Sequence, residues 1–507
     1  MTTSRGRWDE FDYEARVDWH LLYKFTRRTL EDLRSERAKL DELSPLLGWT
    51  DPLVELYEKR QKVVRVHGKD AAQVLFNART AATELQKRII EGKLKKKVSS
   101  FQAYRAVEAL IELRSHLREW HEFYAGYDPL MTWWTEQPWD QLRSCFDPLI
   151  VAVREHLVGV DSNDADAIVG QPSGRESLIA DLEREFIAYS PEEIMEIGNR
   201  EYTWCEQEMV KASQELGYGK DWKQALEHVK NMYVEPGEQT YMVHELADEA
   251  VKYVTKRDMV TIPEVCSATW RTFMMCPERQ KVNPFFLGGP YIQVSYPTSE
   301  MAHDDKLMIM RGNSRPFSRS TVFHELIPGH HLQFHYMDRW NTHRKNFMTP
   351  FWTEGWAFYW EMILWDCGFP DTPENRIGML FWRMHRCLRI VFSLKFHLGY
   401  WTPQQCINYL VEKGGHERAT AEGEVRRSFN GDYSPLYQAG YMLGALQFYA
   451  LRKELVDSGQ MGEKGFHDRI LKLNQMPVEL VRAMLKEQKL EWDHKASWRF
   501  YSGSHNE

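Results

Sequence analysis

The chain has 507 residues and a formal net charge of −8; 43% of its residues are hydrophobic and 13% aromatic, with 19 Trp. That length exceeds what a single core usually supports, so two lobes or domains are expected. The acidic balance argues against a general nucleic-acid binder, and the aromatic load suits long packed helices or a cleft that grips hydrophobic side chains. Seven cysteines (145, 205, 266, 276, 367, 387 and 406) are scattered, odd in number and free of any CxxC spacing. They argue against a disulfide framework or a cysteine metal site and point to a reducing compartment. Residues 1–10 are polar and no long apolar run follows. A cytoplasmic location without a membrane partner is therefore expected.

The first half reads as helix. Segments 21–43, 71–91 and 99–123 carry apolar residues at three-to-four spacing with charges between them. The basic run Lys93-Leu94-Lys95-Lys96-Lys97 reads as a solvated helix end. Turn-rich residues at 161–164 and 170–174 place a boundary within 160–175. The expected division is a helical lobe at 1–165 and a catalytic lobe at 166–507. Ser190-Pro191-Glu192-Glu193 is a helix start, with Ser as cap, Pro first and acids in the first turn.

The pattern changes at 259–312. Segments 259–262, 291–296 and 306–310 read as strands, set off by Gly288-Gly289-Pro290 and Pro297-Thr298. A small sheet here either offers an edge to an extended peptide or is purely structural.

Phe323-His324-Glu325-Leu326-Ile327-Pro328-Gly329-His330-His331 follows. A His-Glu pair, a later His and a Glu on another helix can supply three zinc ligands and a general base. The usual spacing puts the second His four residues on; here that position is Pro328. On an unbroken helix, residues six apart point about 240° apart and lie about 9 Å apart along the axis. His324 and His330 can share a metal only if the helix breaks between them. Pro328, which lacks an N–H, and Gly329 supply the break. Either His330 or His331 can be the second ligand; His331 also has His335 at helical spacing, an arrangement that leaves Glu325 without a role. Glu325, beside His324 but not on the metal, is the expected base.

Thr349-Pro350 opens another helix. It carries Trp352-Thr353-Glu354-Gly355-Trp356-Ala357, with Glu354 as the third ligand or a first-turn acid and Gly355 permitting close approach of a neighbouring helix. Glu361, two turns on, is either a partner to a ligand or a surface acid. Helices are expected at 374–398, 403–412 and 435–458.

The combination of HE-x-x-PGHH-x-Q, TEGWA, the Gly399-Tyr400-Trp401-Thr402 segment and Tyr441 with a later Arg resembles the bacterial domain-of-unknown-function-885 family. That family is similar to mostly helical zinc metallopeptidases of the gluzincin type. The resemblance implies a mainly α, two-lobed metallopeptidase-like fold with the small sheet beside an active-site cleft between the lobes. It favours His330 over His331, so that the implied metal set is His324, His330 and Glu354 on Zn2+. It also implies that Tyr441 or His397 stabilises an oxyanion, Tyr441 being the better candidate, and that Arg452 binds a substrate carboxylate or else pairs with an acid. Ser393 stands where the family is expected to carry Asp, which leaves His397 without an orienting carboxylate.

The expected function is a zinc-dependent hydrolase that cleaves peptide bonds in short peptides, as oligopeptidase, dipeptidase or carboxypeptidase. The rivals are a metal-dependent hydrolase or lyase acting on a non-peptide amide, and a non-catalytic scaffold. Glu325 argues against the scaffold, which has no need of a base.

Overall fold

A computed structural model describes residues 5–503 except 163, 165, 166, 277, 278, 281–285, 287, 290 and 432. Asn163 of the expected boundary loop, Pro290 of the expected turn and residues 1–4 lie outside the described residues. The fold is mainly helical, with one two-stranded sheet among the described residues. The chain divides into two compact units, 28–171 and 1–27 with 172–507, rather than at 165/166, and the first division falls inside helix Tyr13–Leu47.

The 28–171 unit is built from helices with apolar faces at helical spacing. Gly68–Ile90 buries Leu75, Ala78, Ala82 and Leu85; Ser100–Tyr124 buries Ala103, Val107, Leu110 and Trp120. These side chains and those of Pro129–Val153 form one apolar core. Ser99 starts its helix with a reciprocal cap: its hydroxyl accepts from the Gln102 N–H while Gln102 accepts from the Ser99 N–H.

In the larger unit, the expected helix starts at Ser190 and Thr349 are present. Ser190 accepts from Glu193 N–H, and Thr349 accepts from Phe351 N–H ahead of helix Pro350–Asp366. Helices Pro373–His397, Pro403–Gly414 and Tyr437–Arg452 lie close to their expected bounds.

The strand expectations need correction. Only 291–296 yields one, Tyr291–Val294 (β2); its partner is Arg271–Met274 (β1), paired in parallel with Arg271 opposite Tyr291. Segment 306–310 lies in helix His303–Gly312. Asp304 and Asp305 favour a helix N-terminus, and Leu and Met are good helix formers. Segment 259–262 is irregular because side chains satisfy its backbone. Asp468 accepts from Thr261 N–H at 2.8 Å, Tyr336 donates to the Thr261 carbonyl at 3.1 Å, and His467 donates to that of Met259 at 2.7 Å. Ile292 and Val294 of β2 share a core with Val322 and Leu326, so the sheet rests on the helix that carries His324.

Candidate metal centre

Helix Arg315–Glu325 ends where the sequence breaks it. A turn at 326–329 contains a cis Ile327–Pro328 bond, and a new helix, His330–Met337, begins at once. Gly329 donates to the Phe323 carbonyl at 3.0 Å, and His331 N–H to that of Leu326 at 3.0 Å. Gly329 has no room for a side chain: a Cβ there would lie 1.9 Å from the His324 carbonyl oxygen. Trp356 fixes the turn from the other side, its indole N–H donating to the Pro328 carbonyl at 3.0 Å.

The break brings the two imidazoles together, their rings 4.9 Å apart and nearly perpendicular. Glu354 joins them from helix Pro350–Asp366. Its Oε2 lies 3.2 Å from His330 Nε2 and 3.7 Å from His324 Nε2, and one donor atom from each residue falls within 4.8 Å of the others. Donors at about 2.0–2.2 Å around a tetrahedral zinc lie about 3.3 Å apart, so this set fits such an ion. The Glu354 helix is held against Tyr437–Arg452 by backbone contact. A Cβ on Gly355 would meet Gly444 Cα at 2.6 Å, and one on Gly444 would meet the Phe351 carbonyl at 2.0 Å.

Each of the three residues has its remaining polar atom engaged. His324 Nδ1 donates to Glu361 at 2.8 Å, and Glu361 also accepts from Ser320 at 2.9 Å. His330 Nδ1 lies 3.3 Å from Gln333 Oε1, and Gln333 donates to the Trp352 carbonyl. Tyr437 donates to Glu354 Oε1 at 2.5 Å. These contacts fix the ring orientations and leave both Nε2 atoms toward Glu354. Burial works against the charged form of His324, but Glu354 and Glu361 outweigh it and raise the imidazole to about 9. Burial likewise opposes the Glu354 carboxylate, yet His330 and His324 hold it well below the usual carboxylate range.

Glu325 stands beside the three, partly exposed and without a hydrogen bond among the described residues. A Cβ on Gly288 would lie 2.1 Å from its Oε2, so the chain before β2 runs directly over the carboxylate. Burial raises its pKa, with His324 and His330 pulling the other way. His331 points elsewhere: its Nε2 pairs with the Cys266 carbonyl at 3.0 Å, and no metal-holding group among the described residues includes His331 or His335.

Of the three further residues expected at the site, one is there. The Tyr441 ring lies 6.3 Å from that of His324 at an interplanar angle of 15°. Its hydroxyl is kept neutral by burial first and by Glu354 second. His397 is not at the site. It lies eleven residues, about 16 Å of helix rise, beyond Arg386, which reaches Glu361. It packs edge-on to Phe429, its Nδ1 is buried without a partner among the described residues, and burial lowers its pKa to about 4. Ser393, a turn earlier, donates to the Pro435 carbonyl instead. Arg452 is committed elsewhere, to Glu463 at 2.7 Å and Asp457 at 2.8 Å. The residues that sequence reasoning missed are Tyr437, Gln333 and Arg386. Tyr437 is four before Tyr441 and Gln333 three after His330, helical spacings that put each beside a residue already singled out.

A model of the family described as "Bacterial protein of unknown function (DUF885)" matches residues 7–485. The chain belongs to this family. No curated protein matches it. Among solved structures, it is similar to a candidate lipoprotein of unknown function from Shewanella oneidensis, with TM-score 0.63 and 16% identity over 94% of this chain and 93% of that one. A candidate lipoprotein from Colwellia psychrerythraea matches with TM-score 0.57 and 18% identity over 87% of this chain and 75% of that one. At these identities the likeness concerns the fold. No described helix is long and apolar enough to cross a membrane.

Proposed function

We propose that this DUF885 protein is a zinc-dependent peptidase of the gluzincin type, acting on short peptides. The observation that carries the reading is the set His324, His330 and Glu354, each held by an outer partner, with Glu325 alongside and without a hydrogen bond among the described residues. Zinc held by these three would polarise a carbonyl and make a water more acidic. Glu325 is placed to take a proton: it adjoins His324 in sequence, and burial raises its pKa toward the working range of a general base. Tyr441, kept neutral and with its ring 6.3 Å from that of His324, would donate its O–H to an oxygen that gains charge. Glu361, Gln333 and Tyr437 orient the metal-holding groups.

The names of the two similar solved proteins favour an exported peptidase over a cytoplasmic one. The test is cleavage of a peptide library by zinc-loaded protein, with and without chelator, beside Glu325→Gln. The substitution leaves the three ligands in place, so zinc should stay at one per chain while turnover falls at least a hundredfold. Near-normal turnover in Glu325→Gln ends the general-base assignment.

A further inference from the structure

Helix Pro373–His397 carries Arg383, Arg386 and Arg389 at three-residue spacing, and all three are buried. Two are matched. Arg383 donates to Glu201 at 3.0 Å, and Arg389 forms a fork with Glu424 at 2.7 and 3.0 Å. Arg386 is not. It makes no hydrogen bond among the described residues, and its Nε, like that of Arg383, is buried with no hydrogen-bond partner among them. The acid it faces, Glu361, stands 3.8 Å away and already accepts from His324 and Ser320. A guanidinium cannot shed its charge and presents five N–H donors. Burying one with its donors unsatisfied is costly, so its position calls for an anion beyond Glu361.

The position also says where that anion belongs. Glu361 lies between the guanidinium and His324, and Tyr441 lies between them on a second path. The guanidinium sits 4.9 Å from the Tyr441 ring and 5.3 Å from that of Trp382, which hold it in place before any ligand arrives. One peptide residue spans at most about 3.6 Å, so a chain cleaved beside His324 would bring its end to Arg386 within one or two residues. A planar carboxylate matches the fork of a guanidinium.

Resting on the peptidase reading, we infer that Arg386 anchors the C-terminal carboxylate of the substrate, making the protein a carboxypeptidase that removes one or two residues. The role that sequence motifs gave Arg452 passes to Arg386, which pairs with Glu361 only at 3.8 Å and makes no hydrogen bond among the described residues.

The test uses zinc-loaded protein and three blocked peptides: N-acetyl-Ala-Ala-Phe, its C-terminal amide, and N-acetyl-Ala-Glu-Phe amide, whose only carboxylate is a side chain. Equilibrium binding by calorimetry and hydrolysis are both measured, for wild type, Arg386→Met and Arg386→Lys. Wild type should prefer the free acid over both amides by roughly ten- to a hundredfold. Arg386→Met should erase that preference through a higher Kd and KM for the acid alone, with zinc content unchanged. Arg386→Lys, which keeps the charge but loses the fork, should retain part of it and serves if the Met variant does not fold. Equal binding of acid and amide by wild type overturns the inference. So does an equal loss for all three peptides, which would mean that Arg386 acts only by steadying Glu361. Preference for the acidic side chain over the free C-terminus assigns the anion to the wrong source and also overturns it. If no peptide is cut, the peptidase reading fails, and the binding preference still decides the role of Arg386.

Discussion

The two units bury different chemistry. Among its described residues the 28–171 unit buries only two polar side chains, Thr50 and Thr135; the rest of its interior is aliphatic or aromatic. The larger unit buries His324, His330, Glu354, Glu361, Arg386, Arg389 and Glu424 within a few helices. An apolar interior is the inexpensive way to stabilise helices, and buried ions rarely improve on it. On the proposed function, that contrast separates residues that hold the chain together from the few, His324, His330 and Glu354, that would hold a metal.

The sharpest way to break the contrast is at Gly329. Gly329→Ala would put a methyl group against the His324 carbonyl, so the turn cannot close and His330 leaves His324. Zinc affinity should fall by orders of magnitude, measured with a competing chelator, although no ligand is altered. In the other unit, Leu110→Ala should cost roughly 2–5 kcal/mol of stability by denaturant titration. Its zinc stoichiometry should stay at that of the parent, and a loss of zinc there would dissolve the division of labour. Tyr437→Phe removes one hydrogen bond to Glu354 and should weaken zinc by about ten- to a hundredfold with little change in unfolding midpoint of the zinc-free protein. The smallest effect is expected at His397. Its folded pKa is depressed to about 4, so between about pH 6.5 and 4 the unfolded chain takes up a proton that the folded one refuses. That contribution is fully present above about pH 6.5 and is lost as pH falls through the window. His397→Leu should therefore flatten the acid side of the stability profile and leave turnover unchanged. A large drop in turnover would return His397 to the catalytic set.

The legible parts of this protein were those governed by local rules. Pro328 and Gly329 announce a break whatever surrounds them, and Ser190 and Thr349 announce helix starts. The spacing of His324, His330 and Glu354 then becomes a geometric problem with few solutions. The illegible parts depended on tertiary partners. Nothing local shows that Asp468 and His467 satisfy the backbone at 259–262 and so leave no strand there. Leu307 to Met310 is too short a run for periodicity to separate strand from helix. His397 and Arg452 share helices with residues of the site but lie turns away from it, a distance that motif matching does not register. Arg386 stayed hidden because, in sequence, it looks no different from Arg383 and Arg389; only their partners distinguish them.

The central claim is that His324, His330 and Glu354 hold a zinc ion, and the spacing makes His330 the decisive member. The most direct test is zinc stoichiometry by elemental analysis of wild type, His330→Ala and His331→Ala after dialysis against a weak chelator. The proposed zinc site predicts about one zinc per chain in wild type and in His331→Ala, and none in His330→Ala. Zinc retained in His330→Ala, or lost in His331→Ala, would contradict it.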